Sequence, residues 1–326
     1  MNDEISRRQI IEVTLCSGST RPGPAVCSTP SRDIGFREER QSDLRKPHAP
    51  FEPSDHDVTT GSRHILESAF VERQMDAALT EQGIVFASDS RTNAGIDQIA
   101  SYSKMSVYET PGERVVVILS AGNLSTTQSV NSLLRIRMAE REGKVAPDGI
   151  LGVAHLYEIA VLVGETLREV MARGRDVMER NHVEAGADLV VGGQVKGGAP
   201  RLFRIYPVGN FIEATPDTPY FQIGETKYGK PIIDRLVRHG SSLEDVAKAL
   251  IVSFDSTMRS NLSVGLPIDI LAYEHDQLRV TLRRRFCEGD RYFEAVSRFW
   301  SGGLRRAFDE LPGLTWVGVS ENRSAR

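Results

Sequence analysis

The residues best placed to do chemistry end the apolar run that begins the segment Gly83 to Gly95, GIVFASDSRTNAG. That run delivers Asp89 and Arg91 at its end. On an extended chain, residues two apart point to the same side. A carboxylate and a guanidinium would then share one face of a strand end. A solvent-exposed strand end whose aspartate steadies the turn accounts for the same spacing, and spacing alone favours that plainer reading.

Other chemically capable residues carry weaker patterns. His155, His182, His239 and His275 are dispersed and lack metal-ligand spacing, so no metal is expected. The glycines from Gly192-Gly193 to Gly197-Gly198 join two strand-like runs and lack the Lys-Ser/Thr of a phosphate loop, so they predict a hairpin turn and not a nucleotide site. Arg283, Arg284 and Arg285 form a short basic run at a strand end, read as a solvated face or a subunit contact. Cys16, Cys27 and Cys287 are odd in number and far apart, which argues against a disulfide framework or a zinc cluster and suits a reduced cytosol. No cofactor is expected.

The elements that must position these groups are legible in outline. Residues 17 to 63 are dense in Ser, Pro, Gly and charge, and too poor in aliphatic residues to offset the entropy of ordering. His64 to Leu79 predicts a short amphipathic helix with Ile65, Leu66, Phe70 and Val71 on its apolar side. From Gly83 onward the texture is that of a folded domain. Strands are expected at Gly83–Ser88, Ser103–Tyr108, Val115–Leu119, Ala187–Val191, Arg201–Tyr206, Phe211–Ala214, Tyr220–Ile223, Pro267–Tyr273 and Gln277–Arg283. Helices are expected at Thr126–Met138, Leu156–Met178, Tyr228–His239, from Ser242 to Met258, and at Arg291–Leu311. Ser242-Leu-Glu-Asp245 resembles a capping box. Hairpins dominate the strand connections, which argues against a doubly wound parallel sheet and for an α+β fold of stacked antiparallel sheets between helix layers.

Bulk properties narrow the class. The chain has 326 residues, 40% hydrophobic and 26% charged, the balance of a globular protein able to bury a large core. A net charge of -4 gives no sign of a nucleic-acid partner. No apolar run approaches the roughly 20 residues that cross a bilayer, and no secretory signal is visible. A cytoplasmic protein with neither a membrane nor a nucleic-acid partner is expected.

Taken together, several stretches carry a specific likeness. They are the Gly83–Gly95 segment, Ser103-Lys-Met105, Ser120-Ala-Gly-Asn123, Tyr206–Phe211, Ile223–Gly229 and Arg259–Gly265. The chain from about Gly83 to Trp316 resembles the bacterial proteasome-type threonine proteases, the proteasome β-subunit and HslV-like family. It is most similar to the ancestral β-subunit group called Anbu. The resemblance implies an αββα four-layer sandwich of the N-terminal nucleophile (Ntn) hydrolase type. It implies peptide-bond hydrolysis by a threonine whose own α-amine is the base, on peptide or unfolded-protein substrates. It also implies a homo-oligomeric ring or spiral with helices packed between subunits; whether an ATP-dependent unfoldase feeds it is open. By position, Asp89 matches the family's strand-end aspartate and Arg91 a basic residue beside it. Lys104 matches the lysine that lowers the amine's pKa, although alone it would read as a strand lysine reaching for water. Gly122 matches the oxyanion-hole glycine, and Ser263 a serine near the nucleophile. Glu225 falls where better-known proteasome subunits carry a serine and receives no role.

One departure affects the chemistry directly. The resemblance places the nucleophile about sixteen residues before Asp89, which is Arg73 in this chain, and an arginine cannot attack a carbonyl. Glu72 to Ala78 does not resemble the family's apolar first strand. Residues 1–75 therefore read as a low-complexity leader or a misread N-terminus, and 76–326 as the proteasome-like Ntn hydrolase domain. Thr80 lies too near Asp89 to replace the nucleophile, and Thr59 and Thr60 too far upstream. The expectations are a peptidase subunit with its nucleophile missing from the expected position, a non-catalytic subunit of the same architecture, or an Ntn amidohydrolase acting on a small amide.

Overall fold

Strands whose two faces are both buried organise this chain. The computed structural model describes residues 73–93, 99–101, 103–138, 146, 149–180 and 186–314, with 91–93, 99–101 and 175–179 described by their backbone alone. Two five-stranded antiparallel sheets form the frame. The first takes β1 (Gln74–Thr80), β2 (Gly83–Asp89), β10 (Tyr220–Gly224), β11 (Ile268–Glu274) and β12 (Leu282–Phe286), in the order β10-β1-β2-β11-β12. The second runs consecutively through β5 (Met105–Thr110), β6 (Arg114–Gly122), β7 (Ala187–Val195), β8 (Arg201–Ile205) and β9 (Phe211–Glu213). Two three-residue strands, β3 (Arg91–Asn93) and β4 (Ile99–Ser101), make a separate small ribbon that local patterning gave no sign of.

Alternation along each strand sorts side chains between layers. In β6, Val116 and Ile118 face an apolar cluster with α1 (Leu124–Met138) and α2 (Leu156–Arg180). Val115, Val117 and Leu119 of the same strand point the other way, into a cluster shared with Met75, Ala77, Phe86 and Leu271 of the first sheet. The far face of the first sheet, with Ala78, Val85, Ala87 and Ile270, packs on α3 (Lys230–Leu236), α4 (Leu243–Met258) and α5 (Arg291–Asp309). This is an α+β fold, as the strand and helix order predicts. Ser242 caps α4 by accepting from the Asp245 N–H at 3.1 Å, as its position before the apolar run suggests.

Three local expectations are corrected. Within the segment expected to be helical from His64 to Leu79, the described part is a strand. Gln74 to Thr80 form β1, paired antiparallel with β2 from Met75 opposite Ser88 to Thr80 opposite Gly83. Residues 64–72 lie outside the described residues, as do Cys16, Cys27, Thr59, Thr60 and His182. The cause of the miss is composition: Gln74 and Asp76 face the helix layer from a strand buried on both sides, so the strand lacks the apolar run that marks the other buried strands. The first strand is thus present although its sequence does not advertise it. Gly192 and Gly193 lie inside β7, and the hairpin turns at residues 196–200. A Cβ on Gly192 would meet Leu202 at 2.7 Å and the Phe86 ring at 2.8 Å, so the glycine admits the facing sheet's aromatic ring. The last strand is Leu282–Phe286, later than expected, because residues 275–281 form the connection, with Asp276 and Leu278 at positive φ.

Candidate functional site

The head of β1 is where the buried charges meet. Met75 pairs with Ser88, so the antiparallel register sets Gln74 beside Asp89 at the end of β2. Asp89 is fully buried, and the nearby Gln74 backbone amide favours its charged form. Its Oδ2 lies 2.7 Å from Lys104 Nζ, with both side chains almost wholly excluded from solvent. Lys104 precedes β5, and its carbonyl accepts from the Ser120 N–H at 3.1 Å, which ties it to β6 two residues before Gly122.

Burial dominates the electrostatics. It pushes the Asp89 carboxyl above its usual range, opposed first by Lys104 and then by Arg73. It lowers the Lys104 ammonium to about 8, against the pull of Asp89 and with a further small push from Arg73. Arg73 is 3% exposed and close enough to Asp89 for their charges to interact. One carboxylate thus serves two cations at the position expected for a nucleophile.

Arg73 is held by its backbone. The Glu225 N–H donates to the Arg73 carbonyl at the end of β10. Gly224 makes that approach possible: its φ is +81°, and a Cβ there would lie 1.7 Å from the Arg73 carbonyl oxygen. The buried Glu225 carboxylate accepts from Asn261 Nδ2 at 2.7 Å and from the Lys227 N–H at 2.8 Å. Asn261 Oδ1 in turn accepts from the Ser263 N–H at 2.8 Å. Glu225 therefore links the head of β1 to the turn that carries Ser263. Sequence reasoning gave this residue no role, yet its position gave a signal: like Asp89, it is a carboxylate at the end of an apolar strand.

The remaining expected residues are placed as follows. Gly122 ends β6 with φ +108°, and a Cβ there would sit 2.4 Å from the Gly186 carbonyl, so close backbone approach requires a glycine whatever else it does. Arg91 opens β3, and its side chain lies outside the described residues. The strand breaks at Ser90 before Arg91, so Asp89 and Arg91 do not continue one extended strand. The break is fastened: the Ser90 N–H donates to the Pro267 carbonyl at 2.8 Å and its hydroxyl to Asp269 Oδ2 at 2.9 Å. Arg285 grips Asp269 through Nε at 2.7 Å and Nη2 at 2.6 Å, so one arginine of the expected basic run is committed to a buried ion pair. Thr80 lies at the far end of β1 from Arg73, with its hydroxyl on the Gly83 carbonyl. Among the described residues, no group of three or more His, Cys, Asp or Glu could hold a metal ion, and no helix is long and apolar enough to cross a membrane.

The α+β arrangement of two antiparallel sheets with flanking helices is one that solved proteasome-type subunits share. Solved structures carry the comparison further. Anbu (ancestral β-subunit) from Yersinia bercovieri is 46% identical with a TM-score of 0.69, and the match covers 74% of this chain and 99% of that one. Anbu from Hyphomicrobium sp. strain MC1 is 46% identical with a TM-score of 0.67, covering 74% of this chain and 100% of that one. The Anbu complex of Pseudomonas aeruginosa, solved as a helical assembly, is 48% identical with a TM-score of 0.69, covering 74% and 98%. This chain belongs to the Anbu family. No protein-family model and no curated protein matches it.

Proposed function

We propose that this chain is a cytoplasmic, self-assembling Anbu subunit that keeps the frame of a threonine-type peptidase but is silent toward peptide bonds while Arg73 occupies the nucleophile's seat. The observation that carries this reading is the buried cluster of Arg73, Asp89 and Lys104 at the head of β1. The αββα four-layer sandwich of the Ntn type is the architecture this implies. In such a frame a first-strand threonine would use its α-amine as base, with Lys104 and Asp89 setting the proton affinity. The Gly122 amide would face the oxyanion, with Ser263 and Arg91 completing the surround. A guanidinium offers neither a nucleophilic oxygen nor a base at working pH. It instead gives Asp89 a second cation. Residues 1–72 then act as a leader ahead of a domain that begins at the head of β1.

A cleavable fusion that leaves residue 73 as the first residue, carrying Arg73→Thr, tests the reading. Release of the fusion should create turnover of fluorogenic peptides, and the same chain with Arg73 retained should show none. Peptide hydrolysis by the unaltered full chain would overturn it.

A further inference from the structure

Two arginines of the run Arg283-Arg284-Arg285 take opposite courses. Arg284 stays at the surface, 3.2 Å from Asp290 and stacked on the Phe286 and Tyr292 rings. Arg285 turns inward, donating from Nε to Asp269 Oδ1 at 2.7 Å and from Nη2 to Asp269 Oδ2 at 2.6 Å, with the two side chains 14% and 4% exposed. A forked pair of this kind is directional as well as strong. The same Nη2 reaches the Ser90 hydroxyl at 3.3 Å, and that hydroxyl donates to Asp269 Oδ2 at 2.9 Å. Ser90 is wholly buried. The three groups come from β12, from β11 and from the residue that follows β2.

Register explains the convergence. Asp269 pairs with Arg285 on one side and with Ser88 on the other, so these residues line up across β12, β11 and β2. Asp89 pairs with Ile268, and the next N–H, that of Ser90, donates to the Pro267 carbonyl at 2.8 Å. Beyond Ser90 the chain leaves the sheet for β3. The fastening therefore lies one residue past the carboxylate that meets Lys104 Nζ at 2.7 Å. Stability alone is a weak reason for it. A buried ion pair loses much of its Coulombic gain to lost hydration, and apolar residues of like volume often serve as well. A contact as short as Asp89–Lys104, by contrast, tolerates little displacement of its strand end.

We propose that Arg285 is a positioning residue which, through Asp269 and Ser90, holds the end of β2 so that the Asp89 carboxylate meets Lys104. The inference rests on the reading of Asp89 and Lys104 as the site, and adds to it a support reaching in from the edge strand. Burial lowers the Lys104 ammonium to about 8 even with Asp89 in place. If the carboxylate swings away, the ammonium loses the charge and the hydrogen bond that oppose burial, and its pKa falls further. The titration of Lys104 therefore reports where Asp89 lies.

Carbon-13 labelling of the lysine ε positions in the full chain reads that titration by NMR, with Lys104 assigned by its loss in Lys104→Met. The parent should titrate near 8. Ser90→Ala unlinks the strand end and leaves the Asp269–Arg285 pair whole. Asp269→Asn/Arg285→Gln removes both charges together, which avoids stranding either one. Each should move Lys104 down by about 1 pH unit or more while the far-UV spectrum holds. Arg284→Gln, one residue away at the surface, should leave it in place. A folded Ser90→Ala whose Lys104 titrates as in the parent, whatever its urea midpoint, would reduce the ion pair to a structural brace and overturn the proposal. Should Ser90→Ala fail to fold, the same result from the double variant would overturn it. A shift of equal size in Arg284→Gln would do so too, because the effect would not belong to the linked residues. Failure of the cleaved Arg73→Thr chain to hydrolyse peptides counts against the function proposed above and leaves this result standing.

Discussion

Replacing Asp76 with asparagine should stabilise this protein, and increasingly so as the pH rises. Asp76 lies in β1, fully buried, between Gln74 and the helix layer. Gln74 Nε2 donates to its Oδ2 at 2.8 Å and to Ser253 Oγ at 2.7 Å, and Ser253 Oγ lies 3.5 Å from the same carboxylate oxygen. Burial raises the carboxyl from 3.8 to about 7; hydrogen bonds from Gln74, Gln222 and Ser253 oppose the rise, and the charge of Asp89 adds to it. Between those two values the folded protein keeps a proton that the unfolded chain has released. The associated stability is therefore complete below 3.8 and lost as the pH climbs through about 7. That span, at about 1.4 kcal/mol per pH unit, bounds the loss at roughly 4 kcal/mol. The Asp76→Asn variant carries no charge to desolvate. Its amide can also donate toward Gln74 Oε1 and Gln222 Oε1, two buried acceptors without a hydrogen-bond donor. The expected gain is about 2–4 kcal/mol at pH 8, shrinking toward zero near pH 4. Urea unfolding followed by circular dichroism across that range measures it. A difference that does not change with pH, or a variant less stable at pH 8, would refute the argument.

Two further outcomes test the site itself. Asp89→Asn leaves Lys104 and Arg73 buried without their shared carboxylate and should cost about 3–5 kcal/mol. Lys104→Met should cost less, because Asp89 still faces Arg73, and the double variant should fall short of the sum by at least about 1 kcal/mol; additive urea midpoints would mean that the pair is not coupled. Gly122→Ala should destabilise the fold by about 2 kcal/mol or more, from left-handed backbone strain together with the clash at the Gly186 carbonyl. A variant as stable as the parent would show that the backbone there can relax.

The legible parts of the fold were those whose signal is local. Val115 to Leu119 announces a buried strand by composition, and Ser242 ahead of Leu243 announces a helix start by its hydroxyl. Strand β1 was illegible for the opposite reason: Gln74 and Asp76 find their partners in Ser253 and Gln222, far along the chain, so nothing nearby marks them as interior residues. The same distance hid Glu225, whose place beside Arg73 follows from β10 pairing with β1.

The sequence by itself determined which residue types were available: an aspartate ending an apolar strand, a lysine at the head of the next sheet, a glycine ending the strand that carries Val115 to Leu119, and an arginine where a threonine was expected. Only the tertiary structure decided that three of them are neighbours. The β1–β2 hairpin register sets Arg73 close to Asp89, and the packing of the second sheet on the first brings Lys104 to the same buried point. There, loss of water raises the carboxyl and lowers the ammonium.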